Sequence, residues 1–218
     1  MPRATKEQSE KTAARILATA RTAFAVQGYA AVGLEDIAAT AGVTRGAVYH
    51  HFQSKTGLFR AVHIETQRRV GIAVDHATAG IDDSWRALEV GCRAFLEASV
   101  RDDARQIMLI DAPAVLGWDT WRAEDANNSG RMLLDVLAEL KSAGLLDVMS
   151  VGACHALLTG AMNEAALWIA STTDRDAALA DACNTLVRML DALRSRPTPW
   201  SDDEGAAVST SAPIPGRP

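Results

Sequence analysis

LEDIAATAGVTRGAVYHHFQSKTGLF, residues 34–59, is the stretch of this 218-residue chain that best predicts its fold. Two short apolar segments flank the turn at residues 41–43, where Gly42 can take a positive φ without a Cβ clash. Ile37 and Ala38 before the turn can pack against Val48 after it. A small apolar core would then fix the angle between two short helices, as a helix-turn-helix motif requires.

The exposed side of the second short helix carries residue types that suit DNA. Arg45 can donate two hydrogen bonds to a guanine edge or bind a phosphate, and Gly46 lets the helix backbone approach the bases. Taken singly, Arg45 could be a solvated charge and Tyr49 a packing residue, but their grouping on one short helix favours DNA. The predicted DNA contacts are Thr44, Arg45, Gly46, Tyr49, His50, Lys55 and, on the first helix, Lys11.

The remaining sequence predicts an all-α fold. Aromatic residues make up only 5% of the chain, apolar residues recur at helical spacing, and no proline lies between Pro2 and Pro113. Ser84 and Asp174 are predicted N-caps, and Gly28 and Gly144 are predicted helix stops. The predicted helices cover about 8–27, 34–41, 45–52, 54–79, 82–100, 102–112, 118–143, 150–171 and 174–195.

Charge is distributed unevenly along the chain. The net charge is −5, yet residues 1–70 hold ten basic and five acidic side chains, and residues 71–218 hold twelve and twenty-two. A basic head on an acidic body is typical of a protein whose head meets a polyanion, although chance segregation of charge would give the same pattern. The N-terminus has no signal-peptide character and no apolar run could span a bilayer, so we expect a cytoplasmic protein without membrane contact.

Two other functional classes compete with DNA binding. An enzyme is disfavoured because neighbouring residues on a helix point about 100° apart, so neither His50-His51 nor Cys154-His155 can act as nucleophile and base. A protein-binding helical adaptor would explain the helices but not the basic head. The three cysteines are far apart, and neither a disulfide, a metal site nor a cofactor is predicted.

Residues 28–59 closely resemble the DNA-binding domain of TetR-family regulators. The resemblance implies three DNA-binding helices, a linking helix and a helical-bundle domain that binds an effector and dimerises. It also implies a homodimer on a palindromic double-stranded DNA operator, usually as a repressor, and its DNA contacts map onto Thr44, Arg45, Gly46, Tyr49, His50 and Lys55. Val32 and Gly33 stand where the family has a capping Thr or Ser, and Gln53 stands where it commonly has proline, a change we expect to be minor.

This resemblance divides the chain into a helix-turn-helix domain (1–53), a linking helix (54–79), a sensor and dimerisation domain (80–196) and a disordered tail (197–218). Large apolar residues would suit an effector pocket, although each could simply be core. Asp111 lies in an apolar run and needs a partner, which could be an arginine, a backbone cap or a ligand. The predicted effector contacts are Trp85, Phe95, Met108, Asp111, Trp118, Trp121, Met162, Asn163 and Trp168.

The last two long helices are the predicted dimer surface. Small residues recur along one face of the first of them and allow close approach of a second helix, and the family packs these helices as a four-helix bundle. Ordinary packing within one subunit is the alternative. The predicted dimer contacts are Gly152, Ala156, Gly160, Asn163, Ala182, Leu186 and Met189, with Ala178 and Thr185 on the same stripe.

Overall fold

A computed structural model describes residues 6–127 and 129–195, and this part of the chain is helical with short connections. The predicted tail lies outside the described residues. The helices are α1 (Lys6–Ala31), α2 (Leu34–Thr40), α3 (Arg45–Phe52), α4 (Lys55–Thr78), α5 (Ser84–Ser99), α6 (Asp102–Arg105), α7 (Ala112–Leu116), α8 (Trp118–Asn127), α9 (Ser129–Ser142), α10 (Val151–Ser171) and α11 (Arg175–Ala192), with a π-helical segment, Gln106–Asp111, between α6 and α7. The all-α prediction is confirmed.

The helix-turn-helix forms where the local sequence predicts it. Thr44 caps α3 by accepting a hydrogen bond from the amide of Ala47 at 3.2 Å, and Gly42 takes a φ of +62° in the turn. Ile37 of α2 and Val48 of α3 are both buried, and they belong to the same apolar cluster. Ser54 caps α4 in the same way as Thr44 caps α3, through the amide of Gly57.

Several predicted boundaries differ from the structure. Ser84 is the first residue of α5 and not its cap; Asp83 accepts the capping hydrogen bond at 2.7 Å. The predicted helix 118–143 is two helices, α8 and α9, and the predicted helix 102–112 continues through the π-helical segment into α7. Pro113 does not end that helix, because it lies in the first turn of α7, where a missing N–H costs nothing.

Helix α4 connects two apolar clusters. Near its N-terminus, Leu58 and Phe59 are buried with α1, α2 and α3 in the head cluster. Near its C-terminus, Val70 and Val74 are buried with α5, α9 and α10 in the sensor cluster. One continuous helix therefore contributes to both cores. Because both cores are closely packed, a shift of its C-terminal half changes the packing of its N-terminal half in the head cluster.

The sensor also contacts the head directly through the region between α6 and α8. The carboxylate of Asp111 accepts a hydrogen bond from the backbone amide of Tyr29 at 2.7 Å, beside Gly28, whose φ of +76° interrupts α1. Trp121 is buried in the head cluster and donates its indole N–H to the carbonyl of Met108 at 3.0 Å. The partner that Asp111 requires is thus the backbone amide of Tyr29, at the end of α1.

Candidate DNA-binding surface and sensor cavity

The polar side of α3 faces away from the body of the protein. Thr44, Arg45, Gly46 and His50 are exposed, and 41% of Tyr49 is exposed. The guanidinium of Arg45 lies 2.6 Å from the carboxylate of Glu35 on α2 and donates to the hydroxyl of Tyr49 at 3.2 Å. These two partners, Tyr49 foremost, raise the pKa of Arg45. The structure therefore brings five of the seven predicted DNA contacts onto one exposed helix face.

Gly46 has no structural reason to be glycine. A methyl group at this position would meet only the hydroxyl of Thr44, at 3.8 Å, and the φ of Gly46 is not positive. Glycine costs helix stability relative to alanine, roughly 0.5–1 kcal/mol. Glycine at this position therefore lowers the stability of α3. In return, the missing side chain allows another surface to approach the helix backbone closely.

The start of α4 adds a second polar group beside α3. The ammonium of Lys55 lies 4.4 Å from the centre of the Tyr29 ring and donates to the carbonyl of Ala30 at 3.4 Å. The hydroxyls of Tyr29 and Thr56 are 2.9 Å apart. Tyr29 and Thr56 were not among the predicted contacts; the pairing joins residues 27 positions apart, so no local pattern indicated it.

Two departures from the family pattern have visible consequences. Gly33 precedes α2 without a side-chain cap, and Val32 is buried, so no hydroxyl is available there for a phosphate. Gln53 has a φ of +66°, which a proline ring cannot adopt, so this change alters the turn between α3 and α4 more than expected. Lys11 is exposed and paired with Glu7 at 2.7 Å.

A cavity opens between α4, α5, α8, α9 and α10 in the sensor. Its volume is about 130 Å³, close to that of an apolar cavity that holds a benzene-sized group, and part of it is open to solvent. Its walls are mostly apolar, and small residues leave the space vacant. The lining residues are Val74, Thr78, Ala87, Leu88, Gly91, Cys92, Phe95, Asp125, Gly130, Met132, Leu133, Val136, Thr159 and Met162.

Two of the nine predicted effector contacts, Phe95 and Met162, line this cavity. Asn163 stands behind it and donates to the cavity residue Asp125 at 3.3 Å. The others lie elsewhere: Trp85 and Met108 are buried in the sensor cluster, Trp121 and Asp111 lie at the contact with the head, Trp118 is exposed, and Trp168 lines a groove between α10 and α11.

A buried polar network joins α4 to α8 beside the cavity. Glu124 accepts hydrogen bonds from Arg60 at 2.5 Å and pairs with Nδ1 of His63 at 2.7 Å. Gln67 lies 3.4 Å from the other nitrogen of His63. His63 is fully buried, and this desolvation lowers its pKa despite the carboxylate. Glu124 directly precedes Asp125, so one turn of α8 touches both the linking helix and the cavity.

Four of the seven predicted dimer residues lie on an exposed side of α10 and α11, whereas Ala182 and Asn163 are half-buried and Leu186 is buried. Gly152, Ala156 and Gly160 are exposed, and so are Leu157 and Met189, of which 75% and 47% remain accessible. Ala182 and Leu186 form the floor of the groove between the two helices. Large apolar side chains are thus accessible to solvent on both of these adjacent helices.

The described residues show neither a cluster of three or more metal-binding side chains nor a helix long and apolar enough to cross a membrane. Cys92, Cys154 and Cys183 are buried free thiols. Burial raises the pKa of Cys92 to about 12 and that of Cys154 above its usual value.

Comparison with known proteins covers both parts of the structure. Residues 16–62 match the family of bacterial regulatory proteins of the tetR type, and residues 85–193, half of the chain, match the tetracyclin repressor-like C-terminal domain. A TetR-family transcriptional regulator from Pectobacterium atrosepticum superimposes with a TM-score of 0.76 at 32% identity, covering 89% of this chain and all of the other.

The curated relatives match over part of the chain. The transcriptional regulator AcrR of Shigella flexneri is 31% identical over 110 residues, which are 50% of this chain and 51% of AcrR. The probable acrEF/envCD operon repressor of Escherichia coli K12 is 38% identical over 82 residues, which are 38% of this chain and 37% of the repressor. The chain thus spans about half the length of these relatives, or less. Together with the helix-turn-helix, the match of half of the chain to the C-terminal domain of the family shows that this chain belongs to the TetR family of transcriptional regulators.

Proposed function

We propose that the protein is a ligand-responsive repressor that binds a palindromic operator as a homodimer and is released by a small-molecule effector. The single observation that carries the proposal is the outward polar face of α3, supported from below by the apolar head cluster. The E. coli relative is named as an operon repressor, which supports repression as the sign of regulation.

The accessible apolar side of α10 and α11 supports the homodimer. Pairing these two helices with their copies would cover Leu157 and Met189 and build a four-helix bundle. Two heads then must stand about 34–36 Å apart for both α3 helices to enter successive major grooves. Leu157→Glu should convert the dimer to a monomer in analytical ultracentrifugation, whereas Leu134→Glu, on an exposed position of α9, should not.

The path of α4 supports release by an effector. Val74 and Thr78 form one wall of the cavity, while Leu58 and Phe59 of the same helix lie in the head core. A molecule that enters the cavity would displace the C-terminal end of α4, and the N-terminal end of the same helix fixes the orientation of α3. Release follows if the ligand binds better to a head spacing that does not match DNA.

Operator binding tests the proposal directly. The operator is selected from random duplexes with the wild-type protein, and affinity is measured by fluorescence anisotropy at several salt concentrations. Arg45→Ala and Tyr49→Ala should each weaken binding, and Arg45→Ala should also reduce the salt slope. Arg93→Ala, which removes an exposed cation from α5, is the matched control and should leave affinity unchanged. Wild-type affinity and salt slope in both α3 variants would refute the assignment.

A protein-binding adaptor is the remaining alternative for the apolar face of α10 and α11. It predicts no selection of any duplex, because nothing in an adaptor requires the exposed cation and the glycine on α3. Enrichment of a two-fold symmetric sequence during selection would exclude the adaptor, and enrichment of a single half-site would exclude the dimer.

A further inference from the structure

The end of α1 is held by a residue of the sensor. The chain leaves helical geometry at Gly28, where φ is +76° and ψ is 162°, and the amide of the next residue, Tyr29, donates to the carboxylate of Asp111 at 2.7 Å. The approach is close, because a Cβ atom on Gly28 would lie 3.3 Å from the side-chain nitrogen of Gln106 and 3.6 Å from the carboxylate of Asp111. Both ends of the π-helical segment therefore contact α1 at this glycine.

The residues that follow Gly28 position the ammonium group of Lys55, one of the predicted DNA contacts. This ammonium lies 4.4 Å from the centre of the Tyr29 ring and donates to the carbonyl of Ala30 at 3.4 Å. An ammonium has three N–H donors, so the bond to Ala30 leaves donors for a phosphate. The place of the cation thus depends on where the backbone of residues 29–30 lies.

The side chain of Tyr29 is fixed to the first two turns of α4. Its hydroxyl lies 2.9 Å from the hydroxyl of Thr56, and its ring packs edge-on against Phe59 with 5.1 Å between the ring centres. A shift of the Tyr29 backbone must therefore break these contacts or move the start of α4. Either response changes the surroundings of Lys55 beside α3.

We propose that Asp111 is a positioning residue for operator binding: by accepting the amide of Tyr29, it holds Lys55 where the ammonium can bind a phosphate of the operator. The inference rests on the proposed function, since it concerns the DNA-binding surface of the regulator. The sensor then contributes a residue to the DNA-binding surface, through a contact that is separate from the path along α4.

Geometry and charge predict opposite effects when Asp111 is replaced. A carboxylate repels the phosphates of DNA, so loss of its charge alone would raise operator affinity. Asp111→Ala and Asp111→Asn both remove the charge, but only asparagine keeps a side-chain oxygen that can accept the amide of Tyr29. A positioning role therefore requires weaker binding in the alanine variant and not in the asparagine variant.

Fluorescence anisotropy on the selected operator, at several salt concentrations, tests the proposal with the full-length protein. Asp111→Ala should weaken binding at least about fivefold, and Asp111→Asn should stay within about twofold of the wild type. The alanine variant should also reduce the salt slope by about one for each head, because a phosphate contact is lost. A residue that only stabilises the fold would leave the salt slope unchanged.

Asp83→Ala is the matched control. The carboxylate of Asp83 also accepts a backbone amide at 2.7 Å, from Arg86 in the first turn of the sensor helix α5. Loss of this cap should lower stability to a similar extent as loss of the bond to Tyr29, without a change in operator affinity or salt slope. Equal affinity losses in Asp83→Ala and Asp111→Ala would overturn the proposal.

A double-mutant cycle assigns the effect to Lys55. Asp111→Ala should weaken operator binding in the wild-type background and have little effect when Lys55→Ala is already present. An equal loss in both backgrounds, or equal affinities of Asp111→Ala and Asp111→Asn, would overturn the proposal. If circular dichroism shows that Asp111→Ala does not fold, Asp111→Glu takes its place, because it keeps the charge and displaces the acceptor oxygen by one methylene group.

The same measurements separate this inference from the proposed function. A loss of affinity in Arg45→Ala with none in Asp111→Ala would support the regulator and overturn the role of Asp111. A wild-type protein that selects no duplex would refute the proposed function, and the inference with it.

Discussion

Replacing Gly46 by alanine should stabilise the protein and weaken operator binding at the same time. The added methyl group would lie on the exposed face of α3, in ordinary contact with the hydroxyl of Thr44 at 3.8 Å and with no other side chain within 4 Å among the described residues. Removing glycine from a helix lowers the conformational entropy of the unfolded state and improves helix propensity. The substitution should therefore raise the free energy of unfolding and lower the affinity for the operator.

The two effects have different sizes. The gain in unfolding free energy is about 0.5 kcal/mol per chain, at the low end of the usual range because Gly46 lies in the first turn of α3. The new Cβ atom extends about 1.5 Å from the Cα atom of residue 46 towards the bases. If each α3 is displaced enough to lose one good base contact, the loss is about 1 kcal/mol for each of the two heads on the operator. The total of about 2 kcal/mol weakens binding roughly thirtyfold.

Urea denaturation gives the stability change, and fluorescence anisotropy on the selected operator gives the affinity change. Gly71→Ala is the matched control, because Gly71 lies in α4, away from the DNA surface, and a Cβ there meets only the sulfur of Met132 at 3.8 Å. It should stabilise the protein without loss of operator affinity. Unchanged operator affinity in Gly46→Ala would show that α3 does not approach DNA by this face.

Three further substitutions probe other contacts. Glu35→Gln frees Arg45 from its ion pair and removes a negative charge beside the phosphates, so operator affinity measured by anisotropy should rise, about twofold to fivefold. Asp111→Ala leaves the amide of Tyr29 without its acceptor, and urea denaturation should show a loss of about 1–2 kcal/mol. Burial lowers the pKa of His63 below 6.5. The stability that the neutral imidazole contributes is therefore present above pH 6.5 and is lost as the pH falls. Thermal melts should show that His63→Gln loses less stability than the wild type between pH 7 and pH 5.

The head could be predicted from sequence because its determinants are local. The cap at Thr44, the positive φ of Gly42 and the packing of Ile37 on Val48 all lie within about a dozen residues of one another, so periodicity and turn chemistry define them. The contact between Asp111 and Tyr29 spans 82 residues, and no spacing rule connects such positions. The sequence showed only that the carboxylate needed a partner.

The cavity was predicted less well for a different reason. Large apolar residues such as Trp85 and Trp121 fill space, and the structure uses them as core. A cavity arises where facing side chains are too small to meet, as at Ala87 and Gly91. A search for large residues therefore identifies the packed interior more readily than the vacant space beside it.

The position of Glu124 explains how a ligand in the cavity could act on the head. Asp125 borders the cavity, and the residue before it is tied to Arg60 and His63, in the part of α4 between the two apolar clusters. A ligand that displaces Asp125 must either carry α4 along or break the hydrogen bonds of Glu124, one of which goes to the fully buried His63, and a buried carboxylate that loses its partner is costly. Moving α4 as a body is the cheaper response, because its contacts with Glu124 are kept while its packing in the head cluster changes. The polar network thus favours transmission of the ligand's displacement to α3 over its absorption within the sensor.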